Sequence, residues 1–575
     1  MAAALIVFTL ASCSHDPEKD PDGSSLPSAT GINPLSDEAE AASADEPRVI
    51  NLFSTKPDSL NPLLSLNPYI KEYAHLIFDS LVTLNMHQEA LPSLAVNWEV
   101  SEDLITWTFN LRSGVSWHDG SQFTAEDVKM TMDILMSKDI ETLYKYNISN
   151  ISSVEIKDDL TIKIVLYEPQ ALLPYLMTFP ILQASRFSDF AEDIDIEAMK
   201  SVIPNGTGPY MYESPADKSG TCLKLAANKK WWAGEPETEY FHINISEKAN
   251  DDFAYFRTGE ADLILLKKGE GSRYTLGKDY TAKKYPGRYF EFISFNTKSA
   301  YSGDKSLRRA ISCFIDKQAI IDKLLPGKAV PADLPVIPGT FFFDSSYASV
   351  DTINAAQARE MLEVAGWQYI DGVMYKYEWG YYRPLELVLV VNTENEDRTR
   401  VAGEIADRLL QIGVKTRIRK LPWDSYLAAL KEGSYDIAFV GCTLPYEPDF
   451  SFLFEPGEPA PDTAAAGQET DEQEEKGSGG IYAEAFPVSN ISGYSSKDAD
   501  ACIKRISFSS SVEELQQNIR KLCRIMLDDM PHIGLYIYYD TVLYSNRIVC
   551  PAFPDMWQPL RMPYEWYLNE KGDTD

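Results

Sequence analysis

Positive charge falls well short of negative charge in this sequence. Against 86 aspartates and glutamates stand 53 lysines and arginines, a formal net charge of −33 over 575 residues. A chain this acidic offers no basic face to a phosphate backbone, which argues against nucleic acid as a partner. The balance suits a soluble body held off an anionic membrane and says nothing about fold. Histidine is scarce as well. His15, His75, His87, His118, His242 and His532 lie far apart, and the sequence contains no HExxH, no GxSxG and no P-loop. The seven cysteines form no CxxC pair and no Cys/His cluster, so a metal site of the zinc type is not expected. Cys13 stands apart from the others. Cys222, Cys313, Cys442, Cys502, Cys523 and Cys550 read mostly as free thiols, because buried cysteine behaves as a small hydrophobe. Cys502 with Cys523 is the pair to test first for a bridge, since both fall on predicted neighbouring helices.

What the chain does contain is length and apolar content. At 575 residues, 44% of them hydrophobic, it is too long for one core and should hold two or three compact units. Residues 94–136 organise the reading. Ile105, Trp107, Phe109 and Leu111 alternate with polar residues, which predicts a strand with one buried face. Asp119-Gly120 supplies a tight turn. Thr124 then predicts a helix cap, with Asp127 at the return position of a capping box and Val128, Met132, Leu135 and Met136 on one face. His118-Asp119 is the most tempting acid–base pair in the chain. Adjacent residues in a tight turn point apart, however, and the turn explains the aspartate by itself. No catalytic residue, cofactor or metal ligand is assigned.

Elsewhere the pattern divides the chain. Residues 1–10 are apolar but too few to span a bilayer, which needs about 20. They run into Leu10-Ala-Ser-Cys13, which resembles a bacterial lipobox. Residues 14–47 are rich in Asp, Glu, Ser, Ala and Pro, and read as a disordered tether. Residues 70–84 look helical, and Trp231-Trp232 reads as core. Residues 385–441 alternate strand, helix, strand, helix, strand, with Gly413 and Gly433 as helix stops and Asp424 as a cap. That order forces parallel strands with helices packed on them. Ligands bind at the carboxyl edge of such sheets, so Asn392-Thr393 and Gly441-Cys442-Thr443 should face a cleft. Residues 456–480 are acidic and of low complexity, an exposed insertion.

The wording of residues 98–128, WxVSxDxxTWTFxLRxGVxWHDGxxFTAEDV, resembles the signature of the family 5 bacterial solute-binding proteins, the peptide and nickel receptors of ABC importers. The resemblance continues at Gly206-Thr-Gly-Pro-Tyr210, Phe295-Asn-Thr-Lys298, Leu307-Arg-Arg-Ala310, Ala365-Gly-Trp367 and Ser492-Gly-Tyr-Ser495. It covers nearly everything from residue 49 to residue 548.

What the resemblance implies is an α/β, two-lobed periplasmic-binding-protein-like fold of type II, cluster C, with three domains, mixed sheets and a hinge. The expected division is a signal peptide with lipobox over 1–13 and a tether over 14–47. A main domain of lobe I follows over 48–83, 183–297 and 534–575, with an extra domain over 84–182. Lobe II spans 298–533. The resemblance further implies a lipid on Cys13, a monomeric receptor on the outer face of the membrane, and docking on ABC permease subunits. The ligand expected is an oligopeptide or another small molecule. Asn392 and Trp423 match positions near ligand in peptide-binding relatives. Gly441-Cys442-Thr443 matches a segment whose backbone pairs with an extended peptide. Leu66, Asn67, Pro68 and Tyr69 match a contacting loop of the first lobe, and Tyr446 completes the set. Two departures stand out. Peptide-binding relatives carry an aspartate for the peptide amine where this chain has Pro445, with Glu447 and Asp449 as its nearest replacements. Cys442 replaces the tryptophan usual after the glycine. A nickel chelate or an oligosaccharide on the same fold, an extracellular enzyme and a sensor are the alternative readings.

Overall fold

Two long strands, Tyr280–Phe295 and His532–Ser545, pair antiparallel through the middle of an eleven-stranded mixed sheet. The computed structural model describes residues 48–85, 89–187, 195–213, 221–248, 251–273, 279–340, 352–444, 450–454, 490–509, 511–550, 559–560 and 562–569. The expected signal peptide, tether and acidic insertion, together with Cys13, Pro445 and Tyr446, lie outside the described residues. On one side of the long pair the sheet continues through Ile437–Thr443 and Glu386–Asn392 to Lys415–Leu421. On the other it continues through Leu263–Leu266, Val49–Thr55, Tyr240–Ser246 and Cys222–Ala227 to Tyr210–Glu213. The long ladder slips register between Pro286 and Phe290. Proline has no N–H to give to a ladder, and a Cβ on Gly287 would sit 2.9 Å from the Asp540 carboxyl carbon.

The expected alternation over 385–441 is present. Glu386–Asn392 runs parallel to both Lys415–Leu421 and Ile437–Thr443. Helix Glu396–Gln411 buries Val401, Ala402, Ile405 and Leu409 against Leu387, Leu389, Val391, Ile437 and Phe439 on one sheet face. Helix Trp423–Glu432 covers the opposite face, placing Tyr426 and Leu430 with Val390, Ala438, Val440 and Cys442. Period-two alternation along each strand feeds both cores at once. Gly433 ends the second helix at φ 66°. That helix starts at Trp423, after Pro422, so Asp424 lies in its first turn and is not the cap. Pro422 fixes φ and sets the entry to the helix.

Residues 94–136 belong to an antiparallel four-stranded sheet in the order Ala95–Val100, Thr106–Leu111, Thr161–Leu166, Ile151–Asp158, with helix Ala125–Met136 packed on it. The capping box is real: the Thr124 amide donates to Asp127 Oδ2 at 2.8 Å. The core cluster beneath this sheet also takes in Leu63, Leu64, Phe78 and Leu81 before it, and Phe187 and Met199 after it. The helix expected over 70–84 is shorter, Pro68–Ile77, and the chain passes into a short strand at Val82–Leu84. Cys502 and Cys523 are buried free thiols on adjacent helices, Lys497–Ser507 and Val512–Asp529. No helix among the described residues is long and apolar enough to cross a membrane.

Candidate binding site at the strand ends

The three parallel strands end together, and their last residues are tied by a small polar network. Thr393 donates its amide to Leu421 O at 2.9 Å, joining two strand ends. Glu394 Oε1 accepts the Trp423 amide at 2.9 Å, and its Oε2 accepts from Asn392 Nδ2 at 3.3 Å. The Glu394 carboxyl is held below its usual range: burial opposes this, but the backbone amides and Asn392 outweigh it. Trp423 is 37% exposed and lies 5.8 Å from Tyr426, whose hydroxyl donates to Phe439 O at 2.8 Å. The edge therefore presents an indole and a fixed, exposed carboxylate side by side.

Beneath that edge lies a buried ion pair that sequence reading missed. Arg398, in the first turn of helix Glu396–Gln411, donates through Nε to Glu291 Oε2 at 2.8 Å and through Nη1 to Asn392 Oδ1 at 3.0 Å. Glu291 is fully buried, and burial raises its carboxyl pKa despite Arg398. Gly441 is a glycine because of this pair: a Cβ there would stand 2.1 Å from Arg398 Nη2 and 2.7 Å from the Glu291 carboxyl.

The expected site residues thus divide. Asn392, Trp423, Gly441, Cys442 and Thr443 come together at one edge, although Asn392 is 4% exposed and its side chain is engaged by Arg398 and Glu394. Cys442 is buried on the Tyr426 face, and burial pushes its thiol far above the usual range. Gly441-Cys442-Thr443 forms the end of a strand, paired with Tyr289–Glu291. On its other flank, pairing with Glu386–Asn392 reaches only Ala438. Among the described residues, no strand pairs with that flank from Phe439 to Thr443.

Residues 66–69 are bonded differently. Asn67 caps helix Pro68–Ile77, accepting from the Tyr69 amide at 2.9 Å and donating to Thr55 Oγ1 at 2.9 Å. Leu66 is 43% exposed, and Tyr69 meets Phe53 edge to face at 5.5 Å. No hydrogen bond, ion pair or ring contact among the described residues joins Leu66–Tyr69 to the strand ends. Lys267 lies 3.4 Å from Asp540, and the Lys268 ammonium lies 3.9 Å from the ring centroid of Tyr289, the strand partner of Thr443.

The signature turn holds no acid–base pair. Gly206 N–H donates to His118 Nδ1 at 3.2 Å, so the proton sits on Nε2, which donates to Gly208 O at 3.0 Å. Burial lowers His118 to about 4, keeping it neutral. Trp231 and Trp232 are half-buried; Trp232 packs against the core of the four-stranded sheet, and both indole N–H groups donate to Asp79, beside a pocket.

Comparison with known proteins agrees with this architecture. The family model for bacterial extracellular solute-binding proteins, family 5 Middle, matches residues 89–462, more than half of the chain. The dipeptide-binding protein of Escherichia coli is 25% identical over 428 residues, 70% of this chain and 77% of that protein. Heme-binding protein A of Haemophilus influenzae is 25% identical over 370 residues, 61% of this chain and 65% of that protein, just under two thirds of its length. The solved structure of HbpA2 from Haemophilus parasuis superposes with a TM-score of 0.72 at 20% identity, covering 91% of this chain and all of that one, a likeness of fold.

Proposed function

Because the chain belongs to the bacterial extracellular solute-binding proteins of family 5, we propose that it captures extracellular oligopeptides at the strand-end edge and delivers them to the permease of an ABC importer. The observation that carries this reading is the strand end Gly441-Cys442-Thr443, which among the described residues has no strand paired on the flank away from Tyr289–Glu291, beside the partly exposed Trp423. An extended peptide can add there as a further strand, through main-chain hydrogen bonds that ignore side-chain identity. Leu66 and Tyr69 of the first lobe supply the opposing wall. Ligand favours closure of the two lobes only by touching both. Glu394 serves the peptide amine in place of the aspartate that Pro445 displaces, being ionised, exposed and fixed next to Trp423. A lipid on Cys13 holds the monomeric receptor at the outer face of the membrane, and a single acyl chain would not suffice for stable attachment. The dipeptide-binding relative supports a peptide as the cargo.

Mass spectrometry of ligand released from natively purified protein tests the proposal. Peptides with free amines are expected. A sugar, a heme or a metal chelate would replace the peptide reading. Di- to pentapeptides at millimolar concentration should also raise the melting temperature, since ligand bound to the native state stabilises it. The absence of any shift would count against peptides.

A further inference from the structure

A pocket of about 480 Å³ that shares no lining residue with the strand ends lies between helix Pro68–Ile77, Tyr144, Tyr175 and residues 562–564. That volume falls in the range of roughly 300–1,000 Å³ typical of small-molecule sites. Tyr144, Tyr175, Trp231, Trp232 and Tyr564 contribute aromatic walls, and Asp79, 9% exposed, lies among them. Asp79 Oδ2 accepts three hydrogen bonds, from Trp232 Nε1 at 2.8 Å, Thr207 Oγ1 at 2.9 Å and Trp231 Nε1 at 3.3 Å. Among the described residues, no donor reaches Oδ1. Thr207 is delivered by its two flanking glycines, where a Cβ would collide with the Ile77 carbonyl.

All three donors are neutral. Arg112 acts on Asp79 only through its field; its guanidinium lies 4.1 Å from the Trp232 ring centroid and donates to Ser93 O at 3.0 Å. Burial raises the Asp79 carboxyl pKa even so. The other ionisable groups on the wall are Lys71, whose ammonium lies 5.1 Å from the Tyr144 ring centroid, Glu72, and His75, lowered by burial to about 4 and therefore neutral. A buried carboxylate with a spare acceptor and no bonded cation, set among aromatic rings, matches a positively charged donor with an apolar body.

We propose that this pocket is a second ligand site, taking an organic ammonium cation that donates to Asp79 Oδ1 while the aromatic walls cover its apolar part. The site is separate from the strand-end edge and does not depend on what binds there. Calorimetric titration of the full chain with benzylammonium and with uncharged benzyl alcohol tests it, in physiological salt so that diffuse attraction to the acidic surface is screened. Benzylammonium should bind at least tenfold more tightly than the alcohol. Asp79→Asn should remove that preference, and Trp423→Ala should leave it intact. Should Asp79→Asn fail to fold, Tyr564→Ala must weaken benzylammonium severalfold. Equal affinity for the two probes, no binding of benzylammonium, or a preference that survives the pocket substitutions would overturn the proposal.

Discussion

Around His118 the chemistry-bearing side chains are bonded to their own neighbours, whereas at the ends of Glu386–Asn392 and Ile437–Thr443 a buried ion pair supports an edge where Trp423 stands partly exposed and, among the described residues, no strand pairs beyond Ala438. In the turn, His118 uses both ring nitrogens on the backbone of Gly206 and Gly208. Asp119 Oδ2 accepts from Gln183 and Asn205, and Oδ1 from Ser121. Asp127 accepts from Thr124, Trp117 and Ala184. At the strand ends, Glu394 stays exposed, the flank beyond Ala438 has no paired strand among the described residues, and Trp423 stands beside it.

Four measurements would break or sharpen this contrast. The largest effect belongs to Arg398→Met, which leaves Glu291 buried without its cation; denaturant unfolding should show a loss of about 3–5 kcal/mol. A loss below about 1 kcal/mol would mean the pair is not what underpins the edge. Acid comes next. His118 has its ordinary pKa of 6.5 when unfolded and about 4 when folded, so the unfolded chain binds the extra proton between those values. The stability this contributes is complete above pH 6.5 and is lost as pH falls toward 4, by about 1.4 kcal/mol per pH unit. His118→Gln should flatten the pH dependence of unfolding by one proton over that window, and an unchanged slope would remove His118 from its clamp. Gly441→Ala should cost about 1–3 kcal/mol by overpacking against Arg398, and less than that in an Arg398→Met background. Simple additivity would show that the two do not touch. Trp423→Ala should change stability by no more than about 0.5 kcal/mol while weakening peptide binding by at least about tenfold, worth about 1.4 kcal/mol. An equal loss of both would make Trp423 a structural residue like those of the turn.

Local periodicity made the scaffold legible. Alternation in Trp107, Phe109 and Leu111, the face formed by Val401, Ile405 and Leu409, and the stop at Gly433 are properties of short windows, and the structure contains each of them. The convergence of Asn392, Trp423 and Gly441 was legible because parallel strands must end on one edge. What sequence could not give is pairing at a distance. Arg398 and Glu291 lie 107 positions apart, and each alone reads as surface charge. The collision that makes Gly441 obligatory would have been the signal, but it exists only once both side chains are in place. Asp79 is similar: Trp231 and Trp232 read as core until their shared acceptor, some 150 positions earlier, is seen between them.

The two long strands carry a mechanical consequence. Tyr280–Phe295 and His532–Ser545 stay hydrogen-bonded to one another on both sides of the slip at Pro286, so the two flanks of the sheet are joined through one continuous pair of strands. Asp540 sits opposite Tyr285 at that slip and is gripped by the Lys268 amide at 3.1 Å and the Lys267 ammonium at 3.4 Å. Any change in the angle between the halves is therefore a wringing of one continuous ribbon about a pinned point, which bends the sheet without unzipping it.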